Sequence, residues 1–160
     1  MEALDSLLEQ VERERKLRQK FYDEMTPEQK TEFIDGEVIM HSPAKNRHLD
    51  TTARLFTLIN THANVHQIGT AKTEKCLCSF PRNDYEPDIV FFGNEKAKVL
   101  VPDTLRFPVP DLITEVLSDP TEERDRGVKF EDYATHGVSE YWIVAADEQT
   151  VEQHRLDGEQ

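Results

Sequence analysis

Two acidic residues, Asp88 and Glu115, each stand inside an otherwise apolar run, and a lysine, Lys129, follows the second. Residues 111–117 are mostly aliphatic and β-branched and lie between Pro110 and Pro120, a pattern that predicts a short buried strand. Side chains alternate along a strand, so Ile113, Glu115 and Leu117 share a face. In the upstream run Glu86-Pro87-Asp88-Ile89-Val90-Phe91-Phe92, the same rule puts Glu86, Asp88, Val90 and Phe92 together. A carboxylate among apolar neighbours is costly unless a cation or a hydrogen-bond donor meets it. Two carboxylates and a lysine can hold a divalent cation and organise a phosphate and a water around it. The alternative at this level is that both acids end their strands and point into solvent, with Lys129 on a solvated helix face.

The elements that would position these groups follow from the local pattern. Asp119 suits an N-cap, Pro120 the first helical position and Glu122 a capping box, which predicts a helix over 120–136 stopped by Gly137. Arg124, Asp125, Arg126 and Lys129 fall in its first turns, and Asp125 and Lys129, four apart, share a face. Residues 139–145 read as a buried strand, so strand, helix and strand imply a right-handed crossover and a parallel pair. Upstream, Asp35-Gly36 between apolar flanks marks a hairpin over 32–40. Apolar residues at helical spacing predict a helix over about 46–63 with His48 in its first turn, either a polar helix start or a site residue. One or two strands are expected over 66–80, an irregular excursion over 93–110, where prolines deny a long helix, and an edge strand over 150–156. The fold class is α/β with a central mixed sheet.

Residues 2–24 predict an additional, highly charged N-terminal helix, and the chain divides into that helix (1–25) and one domain (26–160). Leu4, Leu7, Leu8 and Val11, then Leu17 and Phe21, form a narrow apolar stripe that either lies on the domain or pairs two copies of the chain.

With 160 residues the chain has room for one real core, and its formal net charge is −13. That charge argues against broad binding to a polyanion, which needs clustered lysines and arginines. It is compatible with an acidic metal site, because the metal reverses the local sign. No apolar run approaches the roughly 20 residues of a membrane helix. The acidic start Met-Glu-Ala-Leu-Asp-Ser lacks a signal-peptide apolar region, which leads to the expectation of a cytoplasmic protein. Cys76 and Cys78 are too close for a relaxed disulfide and read as reduced and buried. A zinc site on Cys76, Cys78, His62 and His66 is a weaker alternative.

Several short motifs together carry a resemblance. These are Glu-Phe-Ile-Asp-Gly-Glu (32–37), Ser-Pro (42–43), His48, Pro-Asp-Ile-Val (87–90), Glu-Val-Leu-Ser (115–118), Arg-Asp-Arg-Gly-Val-Lys-Phe (124–130) and Gly-Val-Ser-Glu-Tyr-Trp-Ile-Val (137–144). In this order and spacing, from about Thr31 to Leu156, the chain resembles the Uma-two family of restriction-endonuclease-like proteins in the PD-(D/E)XK superfamily. The resemblance implies a nuclease core, a mixed sheet flanked by helices, with Mg²⁺ (or Mn²⁺) on its central strands. Asp88 and Glu115 match the acidic ligands, with the Val116 carbonyl as a further ligand. The superfamily's lysine, two residues after the glutamate, is replaced here by Leu117, and Lys129 matches the position to which this family moves it. Glu37, His48 and Asp125 are accessory candidates. Ala145 stands where the family often has Asp, and the chain stops at Gln160, where further strand residues are expected.

The activity implied is metal-dependent hydrolysis of phosphodiester bonds in nucleic acid, DNA first, by a homodimer. A rival class is a catalytically silent nuclease fold that binds a protein partner through its acidic surface and N-terminal helix. The net charge favours the rival; Glu115 on an apolar face favours the nuclease.

Overall fold

The computed structural model describes residues 2–158 and has the α/β architecture expected, with the mixed sheet divided into two five-stranded sheets. The first has the order β2-β1-β5-β4-β7, from strands β1 (Thr31–Ile34), β2 (Glu37–Met40), β4 (Leu77–Ser79), β5 (Asp84–Tyr85) and β7 (Arg106–Phe107). The second has the order β10-β9-β8-β6-β3, from β3 (Gly69–Thr73), β6 (Ile89–Gly93), β8 (Leu112–Val116), β9 (Glu140–Ala145) and β10 (Thr150–Arg155). Both are mixed: β4 and β7 pair in parallel in the first, and β8 and β9 in the second, as the crossover rule predicts. The chain passes from one sheet to the other between β5 and β6, at Glu86-Pro87-Asp88. Pro87 has no N–H to give a ladder, so it suits a crossing point better than a strand interior.

The hairpin turn carries positive φ at both Asp35 (51°) and Gly36 (85°), the requirement of a two-residue primed turn. Helix α2 (Asn46–His66) forms as expected, and short α3 (Asn94–Ala97) lies in the irregular excursion. The helix expected over 120–136 is two: α4 (Glu122–Arg126) and α5 (Val128–Thr135). The break is at Gly127, whose ψ is −106° and where a Cβ would stand 2.8 Å from the Glu123 carbonyl oxygen. The capping box does not form. Asp119 is exposed beside Lys45, and the Ser118 carbonyl accepts the N–H groups of Thr121 and Glu122 instead. Gly137 ends α5 with a φ of +79°, as a C′ glycine does.

The core lies largely between the sheets and α5. Ile34, Cys78, Phe80, Tyr85, Val90, Phe92, Ile113, Tyr133, Tyr141 and Ile143 form one buried cluster. Cys76 and Cys78 are free thiols within it, while His62 and His66 are exposed on α2, so the four form no zinc site. Helix α1 (Glu2–Glu24) docks by its second half. Phe21 packs with Phe33 and Leu77, and Arg18 donates to the fully buried Asp84 at 2.6 Å and to the Phe80, Pro81 and Asn83 carbonyls. Leu4, Leu7 and Leu8 stay more than half exposed. No described helix is long and apolar enough to cross a membrane.

Candidate functional site: a buried carboxylate and lysine cluster between the sheets

The two acidic strands are neighbours. β6 and β8 pair antiparallel with Ile89 opposite Thr114, so one step beyond the ladder Asp88 stands opposite Glu115. Residues opposite one another in such a pair project from the same face with Cβ atoms about 5 Å apart. Both side chains are buried, at 6% and 4% exposure, and both line a cavity of about 330 Å³. Asp88 Oδ2 accepts the Val116 N–H at 2.8 Å, so Val116 meets Asp88 through its N–H. Oδ1 is 3.2 Å from Lys30 Nζ and 3.2 Å from His48 Nε2.

Lys129 comes to the same place from α5. Its Nζ donates to Glu115 Oε1 at 2.9 Å and lies 3.1 Å from both Glu32 Oε1 and Asp125 Oδ1. The contact with Asp125 is one of charge, without hydrogen-bond alignment. The amine is 2% exposed and thus lies within a triangle of carboxylates. The Gly127 break leaves Asp125 and Lys129 on one face, as their spacing predicts. Tyr133 Oη adds a hydrogen bond to Glu115 Oε1 at 3.2 Å.

Glu32 is the member that sequence reasoning missed. Glu37, the accessory candidate of that hairpin, is exposed at the start of the edge strand β2, opposite Ile34, and does not line the cavity. Glu32 is fully buried. It alternates with apolar Ile34 on β1, the signal that singled out Glu115. Its Oε1 also accepts the Glu86 N–H at 2.9 Å, Oε2 meets His41 Nε2 at 2.9 Å, and Glu86 in return accepts the Thr31 N–H. These side-chain bonds join β1 to the crossing segment where the ladder with β5 has ended. Arg124 and Arg126 do not line the cavity. Arg126 pairs with Glu122 and Glu152 on the surface, and Arg124 donates to the Pro120 carbonyl.

Glu32, Asp88, Glu115 and Asp125 face two lysines, Lys30 and Lys129, and two histidines, His41 and His48. Burial opposes the charge on Asp88, yet the His48 hydrogen bond, the Lys30 charge and the Val116 N–H prevail and hold it down at about 2. Burial also opposes the charge on Glu32, and Lys129 and His41 outweigh it, keeping that carboxyl well below the usual range. Glu115 is the one that gives way. Burial, then the charges of Asp125, Asp88 and Glu32, outweigh Lys129 and push it up to about 8. Lys129 itself keeps its proton: burial works against it, but its carboxylate partners raise it well above the usual lysine value. The pull of Lys129 and the rise at Glu115 conflict only if the two are read as an isolated pair. Lys129 has three partners, and Glu115 also faces the charges of Asp125, Asp88 and Glu32.

This donor set fits a hard divalent cation. Asp88 and Glu115 offer oxygen ligands on one face, and both hydrogen bonds to Glu115 fall on Oε1. Among the described residues no group of three His, Cys, Asp or Glu side chains is arranged to hold a metal. Mg²⁺ does not need one, since it is commonly held by one or two carboxylates and keeps several waters.

Comparison with known proteins agrees with this architecture. A crystal structure titled as a putative nuclease belonging to DUF820, from Anabaena variabilis, superposes with a TM-score of 0.75, covering 87% of this chain and 79% of that one at 24% identity. At that identity the likeness speaks for the fold. No curated protein matches the chain. The family model Uma2, described as putative restriction endonuclease, matches residues 16–160, which take in both acidic strands, Lys129 and the hairpin that brings Glu32. The chain therefore belongs to the Uma2 family of restriction-endonuclease-like proteins.

Proposed function

We propose that the chain is a metal-dependent endonuclease that hydrolyses phosphodiester bonds of DNA at the cavity between the two sheets. The observation that carries this reading is the meeting of Asp88, Glu115 and Lys129 within one buried cluster. Apolar packing does not account for four carboxylates and two lysines gathered in one buried place, since taking each charge out of water costs several kcal/mol.

Asp88 and Glu115 would hold Mg²⁺ or Mn²⁺, with the Val116 carbonyl as a further donor. The bound ion would supply Lewis-acid polarisation of the phosphate and a lowered pKa for an attacking water. Asp88 is held ionised, and Glu115 would have to release its proton to serve as a ligand. Lys129 stays protonated, orients the water through its N–H groups and offers positive charge to the phosphoryl oxygens as negative charge develops on them. Asp125 and Glu32 position that amine. Tyr133 fixes the Glu115 carboxyl. The hydroxyl and the β8 backbone leave Glu115 little freedom, so the carboxylate is presented without reorganisation.

The exposed Leu4, Leu7, Leu8 and Val11 on α1 support a homodimer, in which the stripe of one copy meets that of another. Two sites so joined would cut both strands of a duplex, by analogy with restriction-like enzymes.

The test is cleavage of plasmid DNA and of a matched RNA with Mg²⁺, with Mn²⁺ and with EDTA, wild type beside Glu115→Gln. The proposal expects nicking or linearisation of DNA by the wild type with metal alone. Equal cleavage by the variant, or in EDTA, contradicts it.

A further inference from the structure

Both carboxylate oxygens of Asp88 are already engaged. Oδ2 receives the Val116 N–H, a backbone group fixed in β8 that cannot swing away. Oδ1 is met by Lys30 Nζ and His48 Nε2, each at 3.2 Å. Oδ2 accepts one hydrogen bond and keeps a lone pair, whereas Oδ1 already meets two donors, so a cation that takes Oδ1 has to displace these two side chains. They differ in how far they can yield. His48 is a short side chain on the first turn of α2, with its other ring nitrogen, Nδ1, buried and unpartnered among the described residues. Lys30 has four rotatable bonds and a side chain that is 25% exposed, and it lines the same cavity.

Lys30 is nonetheless delivered on purpose-built backbone. Its carbonyl accepts the His41 N–H at 3.1 Å, one rung beyond the β1–β2 ladder. Glu32 follows two residues later on the same side and holds Lys129. One hairpin thus sends a cation to Asp88 and an anion to Lys129 of α5.

We propose that Lys30 is an exchangeable counter-cation: it neutralises Asp88 until a divalent metal takes Oδ1, and the released amine then binds a phosphate oxygen of the substrate. This rests on the metal-dependent nuclease reading and adds a catalytic residue to it. A buried carboxylate with its counter-charge removed attracts a cation more strongly, so the inference makes metal affinity and turnover move in opposite directions. A lysine with a merely structural role would lower both.

The experiment measures Mn²⁺ binding by the free-ion electron paramagnetic resonance signal, with the metal alone as probe, on wild type, Lys30→Gln and Lys30→Arg. Lys30→Gln is expected to bind Mn²⁺ roughly tenfold more tightly, the worth of one charge-assisted hydrogen bond, and to lose at least tenfold in kcat on DNA at saturating metal. Lys30→Arg, which keeps the charge, is expected to return metal affinity to the wild-type value. If wild type binds Mn²⁺ and Lys30→Gln binds it no more tightly, this inference falls while the nuclease reading stands. If neither protein binds Mn²⁺, the metal site falls and this inference with it. Should Lys30→Gln fail to fold, a Mn²⁺-soaked crystal of the wild type decides: Lys30 Nζ withdrawn from Asp88 Oδ1 supports the exchange, and an unchanged contact with metal on Asp88 overturns it.

Discussion

Replacing Glu115 by Gln should stabilise the metal-free protein, and more so as the pH rises. Glu115 is an acid whose folded pKa is raised, from 4.5 to about 8. Between those values the folded chain keeps a proton that the unfolded chain has released, so stability falls as the pH climbs through that window and is fully retained below it. At about 1.4 kcal/mol per pH unit, the loss reaches at most about 5 kcal/mol by pH 8. Gln mimics the protonated carboxyl: it keeps an oxygen for Lys129 and Tyr133, and Lys129 still has Glu32 and Asp125. In EDTA the variant and wild type should therefore melt together near pH 5 and diverge in favour of the variant by pH 8.5. For a domain of this size each kcal/mol is worth roughly 2–4 °C, so the gap at high pH should be at most about 10–20 °C.

Metal reverses the comparison. A cation that binds only the folded state, at a hundredfold excess over its dissociation constant, stabilises by about 2.7 kcal/mol, or on the order of 5–10 °C. Wild type should show that gain with millimolar Mg²⁺ or Mn²⁺, and Glu115→Gln should lose most of it. The assay is a thermal melt of both proteins from pH 5 to 8.5, with EDTA and with metal. A difference in melting temperature that stays flat across pH would refute the argument from the raised pKa. An equal metal response in the two proteins would show that Glu115 is not a ligand and would favour the silent binding module.

Lys129→Ala leaves Glu32, Glu115 and Asp125 facing one another without their common cation, so chemical denaturation should report a loss of about 3–5 kcal/mol along with no detectable hydrolysis; unchanged stability would contradict the cluster described here. Leu4→Glu with Leu8→Glu should lower the mass seen by light scattering if α1 pairs two chains, and an unchanged mass would remove the homodimer. Arg18→Ala strands the buried Asp84 carboxylate and should also cost about 3–5 kcal/mol, read from the urea midpoint; a loss under 1 kcal/mol would show that α1 is not anchored by that pair.

Much of the site was legible because its cues are local. Asp88 and Glu115 each interrupt an apolar run, and Asp125 and Lys129 are four apart, so their faces could be read without knowing the fold. What escaped was set by contacts between distant segments. The hairpin offered two glutamates, and the family motif drew the choice to Glu37, although Glu32 alternates with Ile34 in the pattern that marked Glu115. The second sheet depends on the chain changing sheets at Pro87, and an extended run on both sides of a proline does not reveal that. Gly127 reads as a tolerated residue inside a helix; in the fold it separates two helices, in a place where a Cβ would meet the Glu123 carbonyl. Lys30 and Arg18 meet partners about sixty residues away, and nothing in their immediate surroundings announces it.

The central claim, that Asp88 and Glu115 jointly hold a divalent cation, is tested most directly by anomalous diffraction from a crystal soaked in Mn²⁺. The account predicts one strong peak in the cavity, roughly 2.0–2.2 Å from a carboxylate oxygen of each residue, and no such peak in Glu115→Gln. A wild-type crystal with no peak there, or with its Mn²⁺ bound at another place, would contradict it.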